Sequence, residues 1–289
     1  MPNPYFLIFE LIVFMMFLGC LKHAWQIGMP KVWQLIAGVL FGLLLEWATI
    51  QQLQAYQYGR FSLMLGEVPI MVGVGWGVIL YSVRLFSDAT KLTEWARPIM
   101  DGLLALNIDL ATDTLAIRLG MWDWGIGFEA QYFGVPYANF WAWFWVVFAF
   151  SAGLRLLTRR PGWVGLWLAP WGAIAIGLLG VLITNALITF WLPKNWYVPT
   201  IAITLSGALI LLLLLKPKLP KRPIPKPAFW VPLGFHGYFL IIGLFTRTIL
   251  NPPFLLLVSA AMALVALLLH RSTVRELWAR TINQNDPRS

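Results

Sequence analysis

The sequence predicts an all-α, polytopic membrane protein: a helical bundle with about nine transmembrane spans. Hydrophobic residues make up 60% of the 289 residues, charged residues make up 11%, and the mean hydropathy is +0.74. These values lie far outside the composition of soluble domains. The single cysteine excludes a disulfide framework, and the three histidines stand far apart in no metal-ligand spacing. We therefore expect no metal and no other cofactor.

The elements follow from the length that a bilayer imposes, because a helix needs about 20 mostly apolar residues to cross it. Nine such stretches lie at about 5–28, 32–53, 68–87, 95–114, 134–154, 163–191, 196–215, 229–250 and 252–270. The fourth contains Asp101, Asp109 and Asp113, which would be costly facing lipid. The ninth follows the eighth through Asn251-Pro252-Pro253, a sequence typical of a tight hairpin.

The chain divides into four parts on this basis. Residues 1–215 form a seven-helix membrane core, residues 216–227 a basic, proline-rich linker, residues 228–270 two further membrane helices, and residues 271–289 a tail. Prolines stiffen such a linker, and its lysines favour contact with anionic lipid.

The distribution of basic residues predicts the orientation in the membrane. With nine spans, one side of the membrane receives all but four of the 21 lysines and arginines, the exceptions being Arg60, Arg118, Lys194 and Arg247. Basic loops face the cytoplasm, so we place the N-terminus outside the cell membrane and the linker, tail and C-terminus inside. Topology alone explains the formal net charge of +9, which gives no indication of a nucleic-acid partner.

Five polar side chains fall at one depth, near the outer ends of four predicted spans. Glu46 lies on the second span, Asp109 and Asp113 share one face of the fourth, Asn139 opens the fifth, and Asn185 lies on the sixth. Ionisable groups inside a bilayer usually face the bundle interior and mark functional sites. We therefore expect these groups to share one pocket.

Structural alternatives remain for each of these groups. Asp109 and Asp113 could instead cap their helix or pair with Arg118, and asparagines often join neighbouring helices by hydrogen bonds. Aromatic residues nevertheless flank the acids on the same side, where ring faces can stabilise a cation. They are Tyr56, Tyr58, Trp122, Trp124, Tyr132 and Trp143, and Pro136 lies among them.

Two segments within residues 42–145 carry a family resemblance. The first contains Glu46, Tyr56, Tyr58, Leu65-Gly66, Val68-Pro69 and Trp76. The second contains Asp109, Asp113, Trp122, Trp124, Tyr132-Phe133-Gly134-Val135-Pro136, Asn139-Phe140 and Trp143. Together they resemble the signature blocks of the integral membrane proteins of carotenoid biosynthesis that include carotenoid 1,2-hydratases of the bacterioruberin and γ-carotene types. Thr114 stands where that family has a proline, and the segment before Tyr56 lacks a run rich in glycine and proline.

The resemblance implies a carotenoid substrate, which is a lipid-soluble polyene, and other carotenoid-pathway enzymes as partners. Hydration of its terminal isoprenoid double bond needs a proton donor, a shelter for the tertiary carbocation and an oriented water. We assign protonation to Asp109 or Asp113, water activation to Glu46 and water holding to Asn139. Substrate-binding residues are then Tyr56, Tyr58, Trp76, Trp122, Trp124, Tyr132, Pro136, Trp143 and Asn185.

Three other functions fit parts of the same pattern. A lycopene-type cyclase would begin with the same protonation and let an internal double bond capture the cation. A membrane prenyltransferase is suggested by the aspartates of residues 107–113, although no second aspartate-rich block follows. A lipid transporter or binding protein would need a path through the membrane rather than a pocket open on one side.

The orientation can be tested by cysteine labelling in a Cys20→Ser background. We expect an impermeant thiol reagent applied to intact cells to label Gly66→Cys, in the predicted outer loop, and to leave Lys221→Cys, in the predicted cytoplasmic linker, unlabelled until the cells are opened. Labelling of position 221 in intact cells would contradict the predicted topology.

Overall fold

A computed structural model describes residues 3–53, 56–221 and 224–284 of the chain. Four short segments lie outside the described residues: 1–2, 54–55 in the loop after the second predicted span, 222–223 in the predicted linker and 285–289 in the predicted tail. Two of the 21 basic residues used to predict the orientation, Arg222 and Arg288, belong to these segments. The described part contains ten α-helices: α1 (Pro4–Ile27), α2 (Met29–Leu53), α3 (Ile70–Ala89), α4 (Arg97–Arg118), α5 (Tyr137–Thr158), α6 (Ala169–Ala186), α7 (Lys194–Leu214), α8 (Lys226–Phe245), α9 (Phe254–Leu269) and α10 (Arg271–Gln284).

The all-α architecture agrees with the predicted class, and each of the nine predicted stretches coincides with one of the helices α1 to α9. The sixth stretch is α6 extended by π-helical turns at Val164–Leu168 and Leu187–Trp191. The predicted tail is also helical, as α10. The turn at Asn251-Pro252 joins α8 to α9 through a short 3₁₀ segment, Thr248–Leu250.

Within the described residues, seven helices are long and apolar enough to cross a membrane. They are α1, α2, α3, α5, α6 with its π-helical turns, α7 and α8. Helix α9 passes the same test only together with the first part of α10, and these two helices meet at a bend of 79°. Helix α4 is long enough but carries three aspartates. The count of nine spans and the orientation stay predictions.

Helix α4 lies in the middle of the bundle and packs against α3, α5, α8 and α9. Its aspartates Asp101, Asp109 and Asp113 are each at most 3% exposed. Burial against other helices removes the cost of facing lipid that a lone acidic helix would have. Helix α8 also packs against α1 and α3, so the two C-terminal helices belong to the same bundle as α1 to α7.

Helices α2 and α3 approach closely because glycines on each helix leave room for larger side chains of the other. A Cβ atom added at Gly77 would lie 2.4 Å from Val39 Cγ2, and one at Gly42 would lie 2.4 Å from Trp76 Cβ. Both distances are shorter than any van der Waals contact, so these positions have room for glycine only. Gly42 thereby lets the Trp76 indole lie against α2, the helix that carries Glu46.

Two short antiparallel strand pairs, which the sequence did not predict, organise the loops at one end of the bundle. β1 (Gln57–Tyr58) pairs with β4 (Trp122–Asp123), and β2 (Met64–Leu65) pairs with β3 (Val68–Pro69). The first pair joins the α2–α3 loop to the α4–α5 loop, with Tyr58 opposite Trp122. The α2–α3 loop is also held to α1, because the Ser62 backbone N–H and hydroxyl both donate to the buried Glu10 carboxylate, at 2.9 and 2.5 Å.

Candidate functional site

A cavity of about 320 Å³ opens inside the bundle beneath the two paired loops. Residues from helices α1 to α8 contribute to its wall. Twelve of the side chains singled out from the sequence line it: Glu46, Tyr56, Tyr58, Trp76, Asp109, Asp113, Trp122, Trp124, Pro136, Asn139, Trp143 and Asn185. The structure therefore brings Glu46 and the aspartate pair into one enclosure.

Glu46 is buried and receives three hydrogen bonds. The Tyr58 hydroxyl donates to Oε2 at 2.7 Å, the Tyr56 hydroxyl donates to the same oxygen, and Trp76 Nε1 donates to Oε1 at 2.7 Å. Indole N–H groups can only donate, so Oε1 must act as an acceptor. Three donors to one carboxyl group fix its orientation and offset part of the cost of ionising it in this buried position.

The two tyrosines that hold Glu46 come from the α2–α3 loop. Burial, followed by the charge of Glu46, raises the pKa of Tyr56 and of Tyr58 well above the ordinary value of a phenol. Both hydroxyls therefore keep their protons at neutral pH and serve as donors to the carboxylate.

Asn139 bridges the two aspartates of α4. Its amide nitrogen Nδ2 donates to Asp109 Oδ2 at 3.0 Å and to Asp113 Oδ2 at 2.7 Å. Helix α5 begins at Tyr137 after Pro136, so Asn139 lies in its first turn and points across to α4. Because Nδ2 carries two hydrogens, one amide can serve both carboxyl groups. The bridge holds two acidic groups side by side inside the bundle.

The two aspartates differ in what contacts their second oxygen atoms. Trp122 Nε1, on β4, donates to Asp113 Oδ1. Asp109 Oδ1 is buried and has no hydrogen-bond partner among the described residues. Of the three carboxyl groups that line the cavity, only that of Asp109 has such an oxygen. Asp109 is therefore a cavity-lining acid that keeps one buried oxygen without a hydrogen-bond partner among the described residues.

Aromatic rings surround the three acids. Trp76 and Trp143 pack with ring centroids 4.3 Å apart, and Tyr56 meets Trp124 at 4.6 Å. Tyr58 contacts Trp122 edge to face at 6.0 Å. Ring faces in a desolvated site attract a positive charge, with a contribution of about 2 kcal/mol or more.

Tyr132 is the predicted wall residue that does not line this cavity. Its hydroxyl donates to the Leu110 carbonyl oxygen at 3.2 Å, and its ring packs edge to face against Phe140 at 5.0 Å. Burial, then the nearby Asp109, raises its pKa to about 12. Tyr132 therefore supports α4 and α5 from behind the site.

Arg118 does not pair with the aspartates, although the sequence left that open. Its hydrogen bonds in the described part of the chain go to backbone carbonyl oxygens, including those of Thr114 at 3.0 Å and Phe133 at 2.8 Å. Its guanidinium group also lies 4.9 Å from the Phe128 ring centroid. Arg118 thus fixes the α4–α5 loop and leaves Asp109 and Asp113 to Asn139.

The third aspartate of α4 belongs to a separate polar cluster, toward the other end of the helix. Ser151 donates to Asp101 Oδ2 at 2.5 Å, and Arg155 Nη2 pairs with the same oxygen at 3.1 Å. Arg155 also pairs with Asp88, which joins α3 to α5. Asp101 therefore has a structural role between helices and no part in the cavity.

Several residues of the cavity wall had not been singled out from the sequence. Thr49 and Thr112 each lie one helical turn beyond a singled-out acid, and that spacing could have indicated them. The remaining ones are apolar or come from distant helices, and no local signal marks them. They include Phe9, Gly75, Ile79, Ile108, Thr189, Tyr197, Phe235 and Phe239.

Within the described residues, no group of three or more His, Cys, Asp or Glu side chains is placed to hold a metal ion. Comparison of the chain with protein-family models, with curated proteins and with solved structures finds no match.

The hydrogen bonds predict different stabilities for two matched variants. Asp109→Asn can still accept from Asn139 and turns its amide toward the unpartnered position, so we expect a change in unfolding free energy below about 1 kcal/mol. Asp113→Asn must place an amide N–H₂ against either the Trp122 N–H or the Asn139 N–H₂, and we expect a loss of about 1–3 kcal/mol. Thermal unfolding of both variants in one detergent, with Asp123→Asn on the exposed loop as the control, measures the difference. Equal Tm values for the two variants would contradict the described hydrogen bonding.

Proposed function

We propose that the protein is a carotenoid hydratase of the cell membrane, which adds water across a terminal isoprenoid double bond of an acyclic carotenoid. The observation that carries the proposal is the cavity itself, where three carboxyl groups from two helices meet an aromatic wall and one carboxyl oxygen has no partner. The resemblance of the two sequence blocks to carotenoid-biosynthesis membrane proteins supports the substrate class.

A lipid-soluble substrate is supported by how the cavity is built. Its wall is largely hydrocarbon and aromatic, and it lies in a bundle whose helices are long and apolar enough to cross a membrane. Thr189, at the α6–α7 side of the wall, is exposed on the bundle surface. A polyene dissolved in the bilayer can therefore reach the acids from that side without passing through water.

Asp109 is the best candidate for the proton donor. Its Oδ2 accepts from Asn139, and its Oδ1 is the position where a proton can be carried and offered to a double bond. Two acidic groups held by one amide also favour one neutral and one ionised member, because like charges so close together disfavour double ionisation. Asp113, with both oxygens accepting hydrogen bonds, fits the ionised member.

Protonation places the positive charge on the more substituted carbon, where water then forms the new C–O bond. The rings of Trp76, Trp143 and Trp122 stabilise that cation. Glu46, held in place by three donors, accepts the proton that the attacking water loses. Return of a proton from Glu46 to Asp109 restores both groups. The net change is then the addition of one water, and no electron donor or acceptor takes part.

We propose that water is supplied from the outer face of the two loops, where two side chains lie between the cavity and the surface. Tyr58 and Trp122 line the cavity and also a depression of about 510 Å³ on the outside of the two loops. Each of these two side chains donates to one of the acids. Asn139 uses its amide nitrogen on the aspartates, so it would orient water through its carbonyl oxygen.

The activity test compares pigments from a carotenoid-producing host that expresses the wild-type chain or single variants. We expect the wild type to yield a pigment heavier by one water per reacted end. Asp109→Asn should lower conversion at least about 100-fold, because a general acid typically contributes 10²–10⁴-fold. Asp123→Asn, which keeps an oxygen able to accept from the Gly125 N–H, should retain activity.

A product of unchanged mass would show that an internal double bond captures the cation, as in a cyclase, and would overturn the hydratase proposal. The pigment could also be unchanged with the wild type and with every variant, although each protein is present in the membrane in normal amounts. In that case the remaining candidate functions are binding and transport. Full activity of Asp109→Asn would remove the proposed proton donor.

A further inference from the structure

The cavity continues beyond the carboxyl groups into an end that is sealed from lipid, called here the closed end. Six residues from α1, α3, α4 and α8 form it: Phe9, Gly75, Ile79, Ile108, Phe235 and Phe239. All are buried, and Phe235, the most exposed of the five larger side chains, is only 6% exposed. The Phe9 ring lies 6.2 Å from that of Phe235 and 5.8 Å from that of Phe239. None of the six side chains carries a polar atom.

The opposite end of the cavity, called here the open end, lies between α5, α6 and α7. Asn185, Thr189 and Tyr197 line it. The π-helical turn Leu187–Trp191 ends there, and its Phe190 and Trp191 are 78% and 80% exposed. A long apolar molecule would therefore enter end-first from this side.

We infer that the carboxyl groups lie between the two ends, because residues next to them in the chain contribute to both sides of the wall. Trp76, which donates to Glu46, directly follows Gly75 of the closed end, and Asp109 directly follows Ile108 of the same end. Asn139, which bridges the aspartates, follows Ala138, another wall residue on α5. Whatever part of a molecule passes the acids must fit inside the closed end.

Gly75 differs from the other glycines on the same turns of α3. Cβ atoms added at Gly73 or Gly77 would come within 2.4 Å of Leu43 or Val39, so these glycines are required by the packing of α2 on α3. A Cβ at Gly75 would have only one neighbour within 4 Å, the Phe235 ring at an ordinary 3.8 Å. Glycine is a poorer helix former than alanine, and helix packing does not explain its presence here. The space beside Gly75 belongs to the cavity.

We propose that the closed end receives the branched hydrocarbon terminus of the substrate and that Gly75 is a specificity-determining residue that sets its depth. The inference rests on the proposed function. Because the closed end offers no polar side chain, it accepts a terminal group of carbon and hydrogen and disfavours an end that already bears a hydroxyl or keto oxygen, which would be buried without a hydrogen bond. The reacting double bond is then the one that stops beside the carboxyl groups, next to the chain end.

The test combines a methyl group added to the protein at position 75 with a methyl group removed from the terminal carbon of the substrate. The purified chain in liposomes is given an acyclic polyene with two methyl groups at its terminal carbon, or an analogue that lacks one of them. We expect Gly75→Ala to lower kcat/KM for the first substrate about 10-fold or more relative to the wild type, since a pocket discriminates one carbon by about 10–200-fold. The analogue gives only a secondary cation and so serves as a binding probe: we expect it to raise the Tm of Gly75→Ala as much as that of the wild type. Gly237→Ala, on α8 with no atom within 4 Å of an added Cβ, is the matched control and should behave as the wild type.

Ligand-induced shifts in Tm separate the two proposals. Gly75→Ala should unfold at or above the wild-type temperature without substrate, and the polyene should raise its Tm less than that of the wild type. Wild-type kcat/KM and wild-type Tm shifts in Gly75→Ala would overturn the role of Gly75 while leaving the hydratase proposal intact. If the polyene shifts the Tm of the wild type but not that of Gly75→Ala, and no chain converts it, the closed end is a binding site and the hydratase proposal is overturned. Absence of both conversion and Tm shift in the wild type would overturn both proposals.

Discussion

Carboxyl groups inside a bundle of apolar helices must find their hydrogen-bond donors within the protein, because lipid offers none. Much of the site follows from that requirement. Glu46 takes donors from Tyr56 and Tyr58, which draws the α2–α3 loop back over the helix ends, and from Trp76 on the neighbouring helix. Asp113 takes a donor from Trp122, which draws in the α4–α5 loop. The pairing of β1 with β4 then closes the two loops into one roof.

A buried carboxyl group that lacks some of its hydrogen-bond donors is a candidate for chemistry if it also lines a cavity. Glu10 is satisfied by Ser62, and this acid holds two elements together. Asp101 and Asp109 each keep one buried oxygen without a partner among the described residues, but Asp101 is ion-paired with Arg155 and lies away from the cavity. Asp109 shares one amide with Asp113 and lines the apolar cavity. A carboxyl group in that position is suited to hold a proton and release it to a double bond. Under the proposed function, specificity is a matter of which hydrocarbon end can pass the acids and enter the closed end.

Much of the helical fold could be predicted from the sequence, because bilayer thickness fixes the length of an apolar span and hydropathy reports it directly. The convergence of Glu46, Asp109, Asp113 and Asn139 could be predicted too, since alternating spans bring alternate helix ends to one side. The β1–β4 pairing could not, because strands of two residues have no periodic pattern. The closed end could not either: Phe9 and Phe235 are ordinary apolar residues until α8 packs against α1 and α3. Tyr132 shares the aromatic signature of the wall residues, and only the direction of its side chain separates it from them.

The origin of the product's oxygen tests the central claim most directly. The purified protein in liposomes would convert an acyclic polyene in water enriched in oxygen-18 and, separately, in deuterium oxide, with the product mass measured by mass spectrometry. Proton donation from the carboxyl set followed by capture by water predicts one oxygen-18 atom at the tertiary carbon and one carbon-bound deuterium at its neighbour for each reacted end. A product that takes up deuterium but no oxygen-18, or a substrate recovered without either isotope, would contradict the account.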